Sequence, residues 1–250
     1  MLAAMVHRPV ALLGSIAVIA AVASALAGCR GGAARDIDAP EVDAPEIDAP
    51  AIDAPAIDAA IDGPPGVPDL QFVEAAMRQY RVVPTKIQAD HCAVQEQCVS
   101  GIGMRNLLRF TTSTVNRGRG DLMLPRLPQP GMGNDTYDWS DCHKHHHLKG
   151  YVRYELVGRD GVVLTGRKQA FCIADMTQID PGRPRARYSC TEQGLQPGWA
   201  DTYGDDVDCQ WLDVTDVASG AYTLRVTVNP EGVLPDSDLT NNVFTLSISI

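Results

Sequence analysis

The sequence has no excess of basic over acidic residues. It contains 21 Lys and Arg against 31 Asp and Glu, which gives a formal net charge of −10. Nine of the acidic residues lie between Asp36 and Asp62 and three of the basic residues precede Gly63, so 18 basic and 22 acidic residues follow, a charge of −4. Nucleic-acid-binding domains carry basic patches or stripes. This composition therefore gives no indication of a nucleic-acid partner.

A convincing membrane-spanning run is also missing. The apolar stretch that begins near Val10 is too short and too rich in Ala for a transmembrane helix. With His7 and Arg8 before it, it predicts an export signal over residues 1–28. Its end, Leu-Ala-Gly-Cys29, resembles the lipobox of bacterial lipoproteins, which implies lipid attachment to the Cys29 thiol. We therefore expect an exported protein anchored through lipid at the bacterial cell envelope, on the outer membrane or cell surface. The alternative is a plain secretory signal in which Cys29 is incidental.

Residues 29–66 are predicted to form a disordered tether. Positions 36–60 repeat a five-residue unit, "DIDAP EVDAP EIDAP AIDAP AIDAA", and the stretch from Asp36 to Asp62 has no aromatic residue, Lys or Arg. Such a segment cannot bury enough apolar surface to fold, and its charges repel one another. At roughly 3.1 Å per residue it would reach on the order of 100 Å. One folded domain is expected over residues 67–250.

The cysteines of this domain predict disulfide bonds. With Cys29 set aside, six remain, an even number that in an exported protein favours disulfides over thiolate metal sites. Six cysteines allow fifteen pairings, so their number alone leaves the connectivity open. They are Cys92, Cys98, Cys142, Cys172, Cys190 and Cys209.

The domain is predicted to be all-β, with a β-sandwich-like core and long disulfide-tied loops. Six segments are rich in β-branched and aromatic residues and are separated by Gly, Pro, Asn and Asp. The last two predict a terminal hairpin, and residues 72–80 predict a short helical turn instead. The six segments are 106–116, 150–158, 162–173, 209–217, 222–230 and 242–250.

Four of the six histidines lie within residues 143–147. His143, His145 and His147 alternate, so in an extended segment their side chains would share one face and could reach a single ion, whereas His146 and Lys144 would point the other way. Three imidazole nitrogens suit copper or zinc, and geometry alone does not decide between them. The alternative is a polar surface run.

The segment "PDSDLTNN" near the C-terminus is crowded with oxygen donors. Asp236, Asp238, Asn241 and Asn242 are hard ligands at close spacing, which suits calcium. The alternative is a β-turn in which these side chains bind their own backbone.

Several blocks resemble the lysyl oxidase family. "DWSDCHKHHHLKGYVRYEL" resembles the copper-binding segment of that family. "GRKQAFCIAD" (166–175) resembles the segment whose lysine enters the cofactor, and "GWADTYGDDVDCQWLDVTDVASGAYTLRVTVNP" (198–230) resembles the one that holds the partner tyrosine. Matching blocks run in the same order from about Asp69 to Ile250.

The resemblance implies a copper-dependent amine oxidase with a self-derived cofactor. The implied copper ligands are His143, His145 and His147, and the implied lysine tyrosylquinone cross-link joins Lys168 to Tyr203. This cofactor takes electrons from a primary amine while a base removes the α-proton, and dioxygen reoxidises it; the products are an aldehyde, ammonia and hydrogen peroxide. The candidate bases are Asp205, Asp206 and Asp208, of which Asp208 is preferred because it lies in the matched block.

The resemblance also implies structural bonds and two departures. The implied disulfides are Cys92–Cys142, Cys98–Cys209 and Cys172–Cys190, and the implied calcium site adds Asp69 and the Leu70 carbonyl to the four C-terminal residues. His146 replaces a tyrosine of the family, and it could add a fourth nitrogen or face outward. Arg167 replaces the histidine that precedes the cofactor lysine.

Two functions remain open. The first is a tethered amine oxidase acting on peptidyl lysine or small primary amines. The second is a surface module that binds zinc or copper and calcium without a quinone. Retention of both Lys168 and Tyr203 favours the first, because a binding module needs neither.

Overall fold

The computed structural model describes residues 66–167 and 171–250. The predicted signal and the tether up to residue 65 lie outside the described residues, and so does the proposed cofactor lysine, Lys168. No helix in the described part is long and apolar enough to cross a bilayer.

Short antiparallel strands dominate the described chain, which confirms the all-β prediction. They form a four-stranded sheet of order β1-β4-β12-β10, another of order β15-β14-β8-β9, a three-stranded sheet of order β13-β3-β2, and the pairs β11-β5 and β6-β7. The strands are β1 Leu70–Phe72, β2 Tyr80–Ile87, β3 Gly103–Phe110, β4 Thr112–Asn116, β5 Leu122–Met123, β6 Tyr137–Ser140, β7 His145–Leu148, β8 Val152–Gly158, β9 Gly161–Thr165, β10 Thr177–Gln178, β11 Gly194–Leu195, β12 Trp199–Tyr203, β13 Trp211–Asp213, β14 Ala221–Val228 and β15 Val243–Ser249.

Helical structure in the described chain is brief. One α-helix, α1, spans Cys92–Gln95, and 3₁₀ turns span Glu74–Ala76 and Leu239–Asn241. The first 3₁₀ turn lies inside the segment predicted to be a helical turn. The predicted terminal hairpin is β14–β15, paired from Ala221↔Ser249 to Thr227↔Val243.

Three predicted strands are shorter than their sequence pattern or divided. Of the segment 209–217, only Trp211–Asp213 is a strand. Residues 106–116 divide at Thr111 between β3 and β4, which belong to different sheets. The segment 162–173 is a strand only to Thr165; beyond the undescribed residues, Phe171 forms an isolated bridge with Leu148 instead. β4 is buried at every position, whereas β9 is mostly exposed, so the burial of the two segments follows their place in the fold rather than the alternation of their residues. The pattern does not show where the chain changes pairing partner.

The core consists of two apolar clusters. The larger one packs inward-facing residues of several sheets, and Phe110 meets Tyr154 edge to face with ring centroids 5.1 Å apart. The smaller one includes Ile87, Leu107 and Trp211 and encloses the Cys98–Cys209 disulfide. Full burial of each large side chain contributes about 1.5–3 kcal/mol to the free energy of unfolding.

Three disulfides tie the long loops to this core. They join Cys92 to Cys142, Cys98 to Cys209 and Cys172 to Cys190, the pairs that the resemblance implies. The first fastens α1 to the loop between β6 and β7, and the second fastens the segment before β3 to the residues before β13. Each of the three has a sulfur within 4.8 Å of a side-chain ligand atom of Glu96, His143 or His145.

Candidate active site

The β6–β7 hairpin carries the three alternating histidines. His145 and His147 lie on β7, opposite Ser140 and Asp138. His143 precedes the strand in the connecting turn, where Lys144 adopts a φ of +57°. The expectation of one extended segment is thus wrong for His143, because the disulfide-bonded loop at Cys142 turns before the strand begins. The turn nevertheless brings His143 to the same place.

The three imidazoles converge on one point. One ring nitrogen from each of His143, His145 and His147 lies within 4.8 Å of the others. The Nε2 atoms of His145 and His147 are 3.1 Å apart. Two nitrogens bound at 2.0–2.1 Å to one tetrahedral ion lie about 3.4 Å apart. The donor set therefore fits copper or zinc.

Glu96 orients His143 within this cluster. The Glu96 Oε1 atom lies 3.1 Å from His143 Nδ1, and it also accepts a hydrogen bond from the Ser140 hydroxyl. Glu96 directly follows α1, which the Cys92–Cys142 bond attaches to the histidine turn. A carboxylate on Nδ1 leaves Nε2 for the metal and makes the imidazole a stronger ligand.

We expect Glu96→Gln to lower copper affinity by about 10- to 100-fold, because the neutral amide no longer supports the positive charge that the metal induces on the imidazole. Isothermal titration of the metal-free protein with a copper chelate measures this. Asp141→Asn is the matched control: it removes an equal charge from the loop between β6 and β7, where the Asp141 side chain accepts from the Trp139 indole. An equal loss in both variants would mean that only the net charge matters.

His146 points away from the cluster. It is 3% exposed, its Nε2 lies 3.0 Å from the Met132 carbonyl oxygen, and its ring packs edge to face on Trp139. Of the two roles left open for His146, the structure therefore supports the outward-facing one.

Tyr203 lies at the end of β12 and contacts Cys172, which in turn lies beside the histidine cluster. Its hydroxyl donates to the Cys172 carbonyl oxygen, and its ring lies 4.7 Å from that of Phe171. The Cys172 sulfur in turn lies within 4.8 Å of a His145 nitrogen. Burial raises the pKa of Tyr203 well above its usual range, and ionisation of Asp201 would raise it further. Lys168 precedes Phe171 by three positions in the sequence and lies outside the described residues.

The three candidate bases occupy different places. An Asp208 carboxylate oxygen lies within 4.8 Å of a His143 ring nitrogen. Asp205 instead forms an ion pair with Arg81 at 2.5 Å, and Asp206 follows it in the same turn. Asp208 is therefore the one that the structure brings to the histidines. A fourth carboxyl, Asp201, is buried two residues before Tyr203 on β12. It was not among the predicted bases, although its spacing from Tyr203 on a strand indicated that the two side chains share a face.

A cleft of about 480 Å³ opens beside the cluster. It is lined by Glu96 and His147 on the metal side and by Trp139 and Arg167 elsewhere. Asp138, which pairs with Lys149 at 3.1 Å, also lines it. Its size is that of a small-ligand site.

The oxygen-rich turn meets the start of the domain. Asn241 Nδ2 donates to Asp69 Oδ1 at 3.0 Å and Asn242 Nδ2 donates to Asp236 Oδ2 at 2.9 Å. Asp236 Oδ1 also accepts from the Leu70 amide at 3.2 Å, so Leu70 joins the group through its N–H. Asp238 is at the rim, where it accepts from Thr240.

Three buried side-chain oxygens of this turn have no hydrogen-bond partner among the described residues. They are Ser237 Oγ and the Oδ1 atoms of Asn241 and Asn242. Burial raises the pKa of Asp236, and the nearby Asp69 charge adds to this effect. A cation here would stabilise both carboxylates, and amides turned the other way would offer it Oδ1, so the residues fit calcium.

The chain is similar to proteins of known type. A family model described as "Lysyl oxidase" matches residues 67–250. Human "Lysyl oxidase homolog 1" is 37% identical over 196 residues, 73% of this chain and 32% of the relative. Human "Protein-lysine 6-oxidase" is 40% identical over 166 residues, 61% of this chain and 38% of the relative. The pig protein of the same name is 36% identical over 191 residues, 71% of this chain and 72% of the relative. The chain thus aligns with only about a third of either human relative.

Proposed function

The chain belongs to the lysyl oxidase family, and on that premise we propose that it is a copper- and lysine tyrosylquinone-dependent amine oxidase. The proposed substrates are peptidyl lysine or small primary amines, with dioxygen as the oxidant. The observation that carries the proposal is the convergence of three imidazoles next to Cys172, whose carbonyl oxygen accepts from Tyr203.

Each of these residues has a role in the proposal. His143, His145 and His147 hold copper, and Lys168 and Tyr203 are the source of the quinone. When bound, copper and the quinone supply the redox chemistry and the electron sink that amino-acid side chains lack. Phe171 and the Cys172 carbonyl hold the Tyr203 side chain. Asp208, beside His143, is the proposed base for the substrate α-proton.

The cleft beside His147 is the proposed path for the amine. The carboxylates of Glu96, Asp138 and Asp141 outnumber the two cations of its lining, Lys149 and Arg167, and this excess of negative charge favours a protonated amine. Trp139 offers an apolar wall along which the methylenes of a lysine side chain can pack. The substrate class is therefore a cationic, flexible primary amine.

The test is peptide mass spectrometry of the exported, copper-supplied domain. We expect a covalent, oxidised link between the peptides that contain Lys168 and Tyr203. Its absence from copper-loaded, aerated protein would contradict the oxidase and favour the alternative, a surface module that binds zinc or copper.

We also propose that Asp69, Leu70, Asp236, Asp238, Asn241 and Asn242 form a calcium site that joins the two ends of the domain. The two unpartnered amide oxygens and the paired carboxyls support it. Asp69 is 1% exposed, so a bound cation would offset a charge that burial makes costly.

Calcium is expected to raise the unfolding temperature of the protein and Asp236→Asn to abolish the rise. At a free calcium concentration 100 times the Kd, the stabilisation is about 2.7 kcal/mol. Scanning calorimetry with calcium, with magnesium and with chelator measures it. Asp160→Asn, in the exposed β8–β9 turn, is the control and should keep the full response. An equal rise with magnesium would argue against a calcium site.

Outside the described residues, we propose that residues 1–28 direct export, that Cys29 carries lipid and that residues 29–66 act as a tether. The disulfides support an oxidising compartment for the domain. Mass spectrometry of the mature N-terminal peptide tests the lipid.

A further inference from the structure

The buried Asp201 side chain has no role in the function proposed so far. It is 1% exposed and lies two residues before Tyr203 on β12, so both side chains face the same side of the strand. Its Oδ1 accepts a hydrogen bond from the Ala174 amide at 3.2 Å. Its Oδ2 has no hydrogen-bond partner among the described residues.

Two other buried polar groups surround this carboxyl. Thr114 is the residue directly opposite Asp201 in the β4–β12 pair, and its Oγ1 has no hydrogen-bond partner. The Tyr151 hydroxyl is equally buried and also unpartnered, although it lies close enough to Thr114 for the two to interact. Opposite residues of an antiparallel pair have Cβ atoms about 4.5–5.5 Å apart. Asp201 thus faces neutral hydroxyls and no described cation.

The neighbouring carboxyl, Asp175, has the opposite environment. It is 7% exposed and accepts four N–H bonds at 2.7–3.0 Å, from the Arg187, Tyr188 and Gln196 amides and the Gln196 side chain. Four donors stabilise a buried carboxylate, whereas one does not. Burial raises the pKa of Asp201 well above its usual range, and the Asp175 charge raises it further. The single donor to Asp201 therefore contrasts with the four donors to Asp175.

Asp201 and Tyr203 also bind the same piece of chain. Asp201 accepts from Ala174, and Tyr203 donates to Cys172. Two side chains of one strand therefore attach residues 172–174 at two points. This segment follows Lys168 by four positions and carries the sulfur that lies beside His145. A shift of Asp201 would therefore move Tyr203 relative to residues 172–174 and to the Cys172 sulfur.

We propose that Asp201 is a neutral carboxylic acid in the folded protein and is a positioning residue for Tyr203. It holds β12 against residues 172–174 and places no negative charge beside the phenol that must be oxidised. Its relevance to catalysis rests on the proposed role of Tyr203, but its protonation does not.

Infrared spectroscopy of the whole exported protein at neutral pH tests the protonation. We expect the carbonyl stretch of a protonated carboxylic acid in the wild-type protein and its loss in Asp201→Asn. Asp175→Asn is the matched control and should keep the band. Absence of the band from the wild type, or its persistence in Asp201→Asn, would overturn the proposal. The infrared measurement requires neither copper nor quinone nor catalytic activity.

The pH dependence of unfolding gives a second readout. The unfolded chain loses the Asp201 proton near pH 3.9, whereas the folded chain keeps it, so rising pH favours the unfolded state. The unfolding constant of the wild type should therefore rise about tenfold per pH unit above pH 4 relative to that of Asp201→Asn. Taking this ratio cancels the contributions of titratable groups that do not interact with Asp201. A ratio that stays constant with pH would contradict a neutral Asp201.

The positioning role is tested by the yield of quinone, read from its visible absorbance after copper addition. Asp201→Asn keeps a neutral acceptor for Ala174 and should form quinone within about twofold of the wild type, whereas Asp201→Ala should lose at least about tenfold. Equal losses in both variants would show that a carboxylate is needed and would overturn the proposal. If the wild type forms no quinone, the oxidase proposal fails while the infrared result still decides the state of Asp201.

Discussion

Replacement of Tyr203 by Phe is expected to abolish amine oxidation while leaving copper binding and the fold intact. The Tyr203 phenol is the proposed precursor of the quinone. The phenyl ring of the introduced Phe has no hydroxyl and cannot be oxidised to a quinone in the same way. Without the cofactor only the uncatalysed reaction remains, which is slower than typical enzymatic rates by roughly 10⁶-fold or more. The lost hydrogen bond to Cys172 should lower the free energy of unfolding by only about 0.5–1.5 kcal/mol.

The measurement combines hydrogen peroxide release from a primary amine with copper content and unfolding temperature. Tyr222→Phe is the matched control, because the Tyr222 hydroxyl also donates to a backbone carbonyl, that of Ala218, at 2.8 Å. It removes one tyrosine hydroxyl outside the site and should leave activity unchanged. Residual oxidation by copper-loaded Tyr203→Phe would show that no quinone at Tyr203 is required.

Replacement of His145 by Gln is expected to lower copper affinity by at least about 100-fold and, with it, to prevent quinone formation. It removes one of the three proposed nitrogen ligands, so the effect should exceed the 10- to 100-fold typical of residues that only support a ligand. His145 is half-buried, so the fold should tolerate the change. Equilibrium competition with a chelator of known copper affinity measures the loss.

The neighbouring His146 supplies the control for this variant. His146→Gln makes the same chemical change one position along the strand, and its amide can still donate to the Met132 carbonyl oxygen. Copper affinity should remain within about threefold of the wild type, since a side chain on the far face of β7 takes no part in the cluster. A loss equal to that of His145→Gln would make His146 a ligand and disprove the assignment by alternation.

Much of the fold was predictable because local pattern and tertiary structure agree there. The β14–β15 hairpin was expected from alternation and from the turn residues between its strands, and it is paired along its length. The residues at which strands end were harder to predict from the sequence. β3 ends at Phe110, just before the chain enters the sheet of β4, and β9 ends at Thr165; these ends are set by distant pairing partners rather than by local residues.

The site divides in the same way. The alternation of His143, His145 and His147 indicated a metal cluster, but the way in which His143 joins it depends on a turn and on a disulfide to a helix 50 positions away in sequence. Glu96 was not singled out from the sequence. It reaches His143 only because the Cys92–Cys142 bond draws α1 to the histidine turn.

The sequence by itself determined the class of the fold, the residue types able to hold copper, and the family to which the chain belongs. These depend on side-chain chemistry and short-range spacing, which can be read along the chain. Only the tertiary structure decided which carboxyl supports a ligand, which one approaches His143 and which is buried beside Tyr203. Protonation and hydrogen bonding depend on solvent exclusion and on partners far apart in sequence, as the contrast between Asp175, with four donors, and Asp201, with one, illustrates.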